Sequence, residues 1–285
     1  MSDRNAVAPE NTAERVALWR ALHLEADAAP PVFEDTVGLK LLAPEAGWRE
    51  RRDMEPSFTA PFRASIVGRA RFVEDLVLEE AAKGVGQYVV LGAGLDTFAQ
   101  RRPETAAKIR VFEVDQPGPQ AWKRRRLIEL GYGIPDRLRL VAVDFEAGDL
   151  WWQKLEAAGF DAGRPAVLAS TGVSLYLSED AVMAMLRQAA ALAPGSTFAM
   201  TFVLPIELAD PEIRPGLELA IKGAAAAGTP FISFFTPEKI LALGREAGFR
   251  VVKHVSAAEL NERYFAQRKD GLRLLNAEEF LVARV

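Results

Sequence analysis

The chain has 285 residues, 35 basic and 39 acidic side chains, a formal net charge of −4, and no cysteine. That length supports one large domain with a full core. Mild acidity gives no reason to expect nucleic acid or an anionic membrane as partner, and the missing cysteine excludes disulfides, thiolate nucleophiles and cysteine metal sites.

The N-terminal stretch MSDRNAVAPENTAERVALWR is polar and has no signal-peptide core, and no apolar run approaches a membrane span, so a cytoplasmic protein is expected. A helix is predicted over 12–26, with Val16, Trp19 and Leu22 on one face. The Pro30-Pro31 pair breaks the chain, and helical spacing resumes over 58–80. Strand-like runs follow at 87–91, 109–114, 138–143, 166–169 and 197–203, with helical patterns such as 116–130 and 178–192 between them. The strands are continuously apolar, which suits a parallel sheet covered on both faces. The alternation predicts a doubly wound α/β domain with right-handed crossovers. After Val203 the rhythm changes. Residues 205–235 hold four prolines and the string GAAAAG, read as a helical insertion or lid. Thr236 then reads as an N-cap with Pro237 in the first turn. Strands at 249–255 and 280–285 complete the count.

The string "YVVLGAGLDTFAQRRP" (88–103) carries the first chemistry. A strand ends in Gly92-Ala93-Gly94, Asp96 follows, and the pattern turns helical. A dinucleotide fingerprint needs a third glycine where this chain has Thr97, and a P-loop needs a lysine followed by serine or threonine. Both are missing. The turn still offers backbone N–H groups to a carboxylate or a phosphate. The next strand ends in Asp115, an acid suited to two ribose hydroxyls. The third ends in Asp144-Phe145, suited to the edge and face of adenine. Carboxylate, ribose and adenine without a pyrophosphate describe S-adenosylmethionine. The plain alternative is that the glycines only make a tight turn.

"VVLGAGLDTFAQR", "VFEVDQP" and "SLYL", in this order, resemble the leucine carboxyl methyltransferase family of class I S-adenosylmethionine-dependent methyltransferases. The similarity is to its bacterial branch, which includes polyketide O-methyltransferases of the tetracenomycin type, and it runs over nearly the whole chain. It implies a Rossmann-like, seven-stranded, mostly parallel sheet with an N-terminal helical cap and a helical insertion after the fifth strand. The expected division is a single domain: cap over 1–83, cofactor-binding core over 84–204, lid over 205–235, and the rest of the sheet over 236–285. The resemblance places the cofactor arginine on Arg69, which would pair with the methionine carboxylate. It puts Gly92, Ala93, Gly94 and Asp96 at the turn, Asp115 on the ribose, and Asp144 and Phe145 on the adenine. A basic residue of the first helix falls on Arg20. Two departures stand out. Phe98 occupies a position where the family often has arginine, although Arg101 matches a later one. Thr171 occupies a position where it often has glutamate, which bears on one contact near the methionine end.

Other residues have plainer readings. The run Lys123 to Arg126 reads as a solvated helix face. His23 and His254 are the only histidines. His23 lies in the N-terminal helix and is a candidate for proton transfer, and Tyr176 for orienting an acceptor oxygen. Phe231, Phe234 and Phe235 are candidates to line a pocket or to fill the core. No metal-binding spacing and no serine-hydrolase motif is present. The function expected is O-methylation of a carboxylate or phenolic hydroxyl on a small molecule, such as a polyketide-type metabolite. The rival readings are a non-catalytic sensor that binds S-adenosylmethionine and a nicotinamide oxidoreductase; the missing third glycine speaks against the latter.

Overall fold

A computed structural model describes residues 11–144 and 150–285. Among the described residues three α-helices precede the first strand: α1 (Asn11–Ala26), α2 (Val37–Leu42) and α3 (Pro56–Ala82). Next come β1 (Gln87–Leu91), the short α4 (Phe98–Arg101) and α5 (Pro103–Ala106), β2 (Arg110–Asp115), α6 (Pro117–Glu129) and β3 (Leu138–Ala142). Then come α7 (Trp151–Ala157), β4 (Val167–Ser170), α8 (Glu179–Ala190) and β5 (Thr197–Val203). The chain ends with α9 (Arg214–Ala226), α10 (Pro237–Ala247), β6 (Val251–Val255), α11 (Ala257–Tyr264) and β7 (Glu278–Arg284).

The strands form one seven-stranded sheet in the order β3-β2-β1-β4-β5-β7-β6. The first five run parallel, and β7 lies antiparallel between β5 and β6. Side chains of a strand alternate between faces. Tyr88, Val90 and Val111 therefore join the core on one side, and Val89, Leu91, Phe112 and Val114 join that on the other. Helices cover both faces, so both sets are apolar and the strands read as unbroken hydrophobic runs. Strand order reverses between β1 and β4, the place where doubly wound sheets open a crevice at their carboxyl edge.

Caps fix several helix starts. The Glu55 carboxylate accepts the N–H groups of Ser57 and Phe58 at the head of α3, and Thr236 Oγ1 accepts that of Lys239 in α10, as its sequence predicts. The basic run in α6 is not wholly solvated, which corrects the reading of Lys123. Its side chain is buried and forms an ion pair with the buried Glu113 of β2. Lys123 lies on the inward face of α6 beside the buried Gln120 and Leu127, while Arg124 and Arg125 are exposed.

The antiparallel course of β7 brings a charged residue to the crevice. Val203, the last residue of β5, pairs with Glu278, the first of β7. An acid at the amino end of β7 is thereby delivered to the carboxyl edge of the parallel strands. Among the described residues, no helix is long and apolar enough to cross a membrane.

Candidate active site

The turn after β1 is shaped by two glycines. Gly92 has φ +68° and Gly94 φ +49°, both in the left-handed region that side chains disfavour. A Cβ on Gly92 would also lie 2.5 Å from Cγ2 of Val173, in the loop after β4, so this turn has no room for another residue. Beside it, Asp115 ends β2. Its Oδ2 accepts the N–H of Gly94 at 2.5 Å and its Oδ1 that of Gln116 at 2.7 Å. Asp96 caps the short helix beyond the turn by accepting the N–H of Phe98.

These groups open onto a cavity of about 290 Å³. The predicted residues Arg69, Gly92, Ala93, Gly94, Asp96, Asp115 and Thr171 all line it, as do Arg20 and Tyr176. Asp144 follows β3 at the same sheet edge but is not among the lining residues. Phe145 lies outside the described residues.

Helix α1 closes the cavity from above. A Cβ on Gly94 would stand 3.4 Å from that of Ala13. Arg20 donates from Nη2 to the carbonyl of Leu95 at 2.7 Å, and its Nη1 lies 3.2 Å from Oδ2 of Asp35. Asp35 is buried, which works to raise its pKa. The charge of Arg20, the N–H of Gly38 and the charge of Arg101 outweigh that, and the group sits below its ordinary value.

Arg69 comes from α3 and packs its guanidinium against Gly172. A Cβ there would fall 3.2 Å from both terminal nitrogens, and φ is +69°, so a side chain at 172 would displace the arginine. Arg69 Nη1 donates to both carboxylate oxygens of Glu278, at 2.9 and 2.8 Å.

A second cavity, of about 560 Å³, adjoins the first. Thr12, Val16, Ile66, Arg69, Gly172 and Tyr176 line both and form the neck between them. Its walls are largely apolar. Trp19 of α1 stacks on Phe62 of α3, with ring centroids 5.5 Å apart and planes 20° from parallel. Phe231 meets Tyr176 edge-on at 5.5 Å. Helix α9 forms the far side, and its Gly216 approaches so closely that a Cβ would lie 2.6 Å from Cζ of Phe62.

One reading of a single residue changes. His23 is not at either cavity. Its ring is buried, with Nε2 accepting the N–H of Val32 at 3.0 Å and Nδ1 bonded to Asp27 at 2.8 Å. Both ring nitrogens are committed to holding the end of α1, so it has no path to an acceptor proton. Of the three phenylalanines, only Phe231 lines the second cavity. Phe235 fills the core beneath β5, and Phe234 packs in the cluster around Leu175 and Leu217. Three residues the sequence did not single out, Glu278, Arg15 and Phe62, line the second cavity. Glu278 gave no local signal, because it reaches the site through the reversed direction of a strand.

The cavity suits the expected ligand in its donors. An acid stands at the end of the second strand beside a glycine turn, and Arg69 stands at the neck. A carboxylate and a ribose would each meet a partner of the right kind.

Comparison with known proteins agrees. A family model described as "Leucine carboxyl methyltransferase" matches residues 13–190. The chain is 31% identical over 207 residues to the candidate S-adenosyl-L-methionine-dependent methyltransferase YktD of Bacillus subtilis (strain 168), covering 72% of this chain and 67% of that one. It is 35% identical over 221 residues to another candidate of the same description from Mycolicibacterium smegmatis, covering 70% and 69%. Among solved structures, a DUF574 family protein from Streptomyces avermitilis superposes with TM-score 0.57 at 20% identity over 97% of both chains. A candidate methyltransferase from Thermobifida fusca YX gives 0.54 at 18% identity, over 93% of this chain and 97% of that one.

Proposed function

The chain belongs to the leucine carboxyl methyltransferase family and is an S-adenosylmethionine-dependent methyltransferase; on that premise we propose that it methylates an oxygen, carboxylate or phenolic, of a small apolar molecule held in the second cavity. The observation that carries this is the neck. One cavity has the polar donors a nucleoside and an amino acid need, the other has aromatic walls, and six residues are common to both. A volume of about 560 Å³ is within the range of small-molecule pockets. Its aromatic lining favours a ring-bearing acceptor of the polyketide type.

When bound, S-adenosylmethionine supplies an electrophilic methyl group and departs as a neutral thioether. Every other part falls to the protein. Asp115 would hold the ribose hydroxyls, with Gly92 and Gly94 letting the backbone come close. Arg69 offers a cation for the amino-acid carboxylate, and Arg20, tied to Asp35 and to the Leu95 carbonyl, holds the turn beside it. Trp19, Phe62 and Phe231 keep water from the acceptor, and Tyr176, at the neck, orients its oxygen. Positioning and dehydration therefore carry the rate. Asp144, the acid that follows β3 at the same sheet edge, would meet the edge of the adenine.

Calorimetry with S-adenosylhomocysteine and with NAD, followed by a screen of phenols and aromatic acids with methyl-labelled S-adenosylmethionine, tests this reading. Micromolar binding of S-adenosylhomocysteine, no binding of NAD, and label in an ether or ester are expected. Cofactor binding with no label in any acceptor would favour a sensor.

A further inference from the structure

We infer, on the methyltransferase reading above, that Arg15 determines acceptor specificity: it holds a carboxylate that the acceptor carries at its far end, away from the oxygen that is methylated. The charges around Arg15 leave it open for such a group. Asp53 accepts from Arg51 through both carboxylate oxygens, Nε to Oδ1 at 3.0 Å and Nη2 to Oδ2 at 2.8 Å. Arg15 reaches the same Asp53 only with Nε, at 3.2 Å from Oδ2. Among the described residues, its Nη1 and Nη2 have no hydrogen-bond partner. A residue of the cavity wall thus keeps two terminal N–H-bearing nitrogens, the fork that a carboxylate engages with both oxygens. The other cation of that wall, Arg69, gives Nη1 to Glu278 and lines the cofactor cavity as well.

The helix sets Arg15 apart from the reacting centre. Successive residues of α1 are turned by about 100°, which divides its inner face. Ala13 and Arg20 line the first cavity, Thr12 and Val16 line both, and Arg15 and Trp19 line only the second. Arg15 therefore occupies the edge of that face farthest from the cofactor. It also stands at the open end of the second cavity. Its side chain is 41% exposed, and Phe58 and Leu219 of the same lining are at least half exposed. The methyl group arrives at the neck, so the oxygen that receives it and an anion on Arg15 belong to opposite ends of one molecule. The Trp19 ring lies beside Arg15, its centroid 6.0 Å from the guanidinium carbon. That ring is held by its own Nε1–H, donated to the carbonyl of Asp53 at 2.9 Å. A flat body laid on Trp19 brings a substituent to Arg15 and covers the ion pair from water, which strengthens it.

The test is calorimetry near neutral pH on the protein saturated with S-adenosylhomocysteine, using 6-hydroxy-2-naphthoate and 6-hydroxy-2-naphthamide as probes. They share a ring system and a hydroxyl, and only the first carries an ionised carboxylate at the far end. The parent is expected to bind the carboxylate about tenfold more tightly than the amide, and Arg15→Gln to remove most of that preference. Arg15→Lys should retain it in part, since it keeps the charge and loses the fork. Neither variant strands Asp53, which Arg51 still holds through both oxygens. Equal binding of both probes by the parent, or binding of neither, overturns the assignment without recourse to any variant. A preference that survives in Arg15→Gln also overturns it, by placing the anion elsewhere. So does an equal loss of affinity for both probes in that variant, the result expected if Arg15 only shapes the wall. Failure of the parent to bind S-adenosylhomocysteine in the first step is a different result, and sinks the methyltransferase reading itself.

Discussion

Arg20 bridges the buried carboxylate of Asp35 and the carbonyl of Leu95, so one side chain of α1 ties the segment before α2 to the glycine turn. Replacing it strands a charge. Arg20→Ala should lower stability by about 3 kcal/mol, since an unpaired buried carboxylate costs that much or more. Adding Asp35→Asn should recover part of the loss. Urea denaturation of the single and double variants checks this; a single variant as stable as the parent would show that Arg101, 4.0 Å from Asp35, already suffices.

Acid should release the N-terminal helices first. Asp27 joins α1 to α3 through Arg63, and burial works to raise its pKa, but hydrogen bonds from His23 and Arg63 bring it below the ordinary value. Asp35 is lowered likewise. A depressed carboxylate gives stability that is present above its unfolded pKa of 3.8 and is lost as pH falls through the folded value. Peptic cleavage at about pH 3 should therefore begin within residues 11–42, which the aspartates secure. First cuts inside the sheet would contradict this.

Glu113 and Lys123 give the opposite sign. Burial raises the Glu113 carboxyl to about 7, against the pull of Lys123. Since that lies above the ordinary value of 4.5, its ionisation opposes folding, absent below 4.5 and complete above the folded pKa. Lys123→Met removes the compensating cation and raises the folded pKa further. The variant should lose about 3–5 kcal/mol at alkaline pH and much less near pH 5. Chemical denaturation at the two pH values decides; a deficit independent of pH would mean that lost packing, not charge, is the cause.

Asp115→Ala should weaken S-adenosylhomocysteine binding by about 2–3 kcal/mol, because two ribose hydroxyls lose a charged acceptor. Folding should survive, since the two N–H groups that Asp115 accepts lie at a part-exposed sheet edge. Unchanged affinity by calorimetry would move the ribose elsewhere.

Filling the second cavity should separate its role from that of the first. Ala220→Phe projects a ring from α9 into the space beside Phe62. Turnover of any acceptor should fall at least ~100-fold, while S-adenosylhomocysteine affinity stays within about twofold. Equal loss of both would join the cavities into one site.

The sheet is legible in the sequence because its pattern is local. Strands β1 to β5 announce themselves as apolar runs covered on both faces, and the register of Gly92, Gly94 and Asp115 comes from strand ends lying along one edge. The acceptor side is legible only in outline. Trp19 and Phe231 stand out for their size, but which aromatic ring faces the cavity depends on how α3 and α9 pack, as the inward turn of Phe235 shows. His23 misleads for a related reason: an isolated histidine in a covering helix looks chemical until its backbone and carboxylate partners are known. Glu278 is hidden by topology, since a strand that runs backwards reverses which of its ends is functional.

Helix α1 is a party wall. Thr12 and Val16 face both cavities, and Ala13 sits over Gly94. Whichever ligand arrives first settles this helix, and the second finds that ordering already done. Cofactor and acceptor affinities are thus expected to rise together, and by reciprocity each must strengthen the other by the same factor. A loosened first helix would then register as lost cooperativity between two ligands, with each one's solo affinity changed far less.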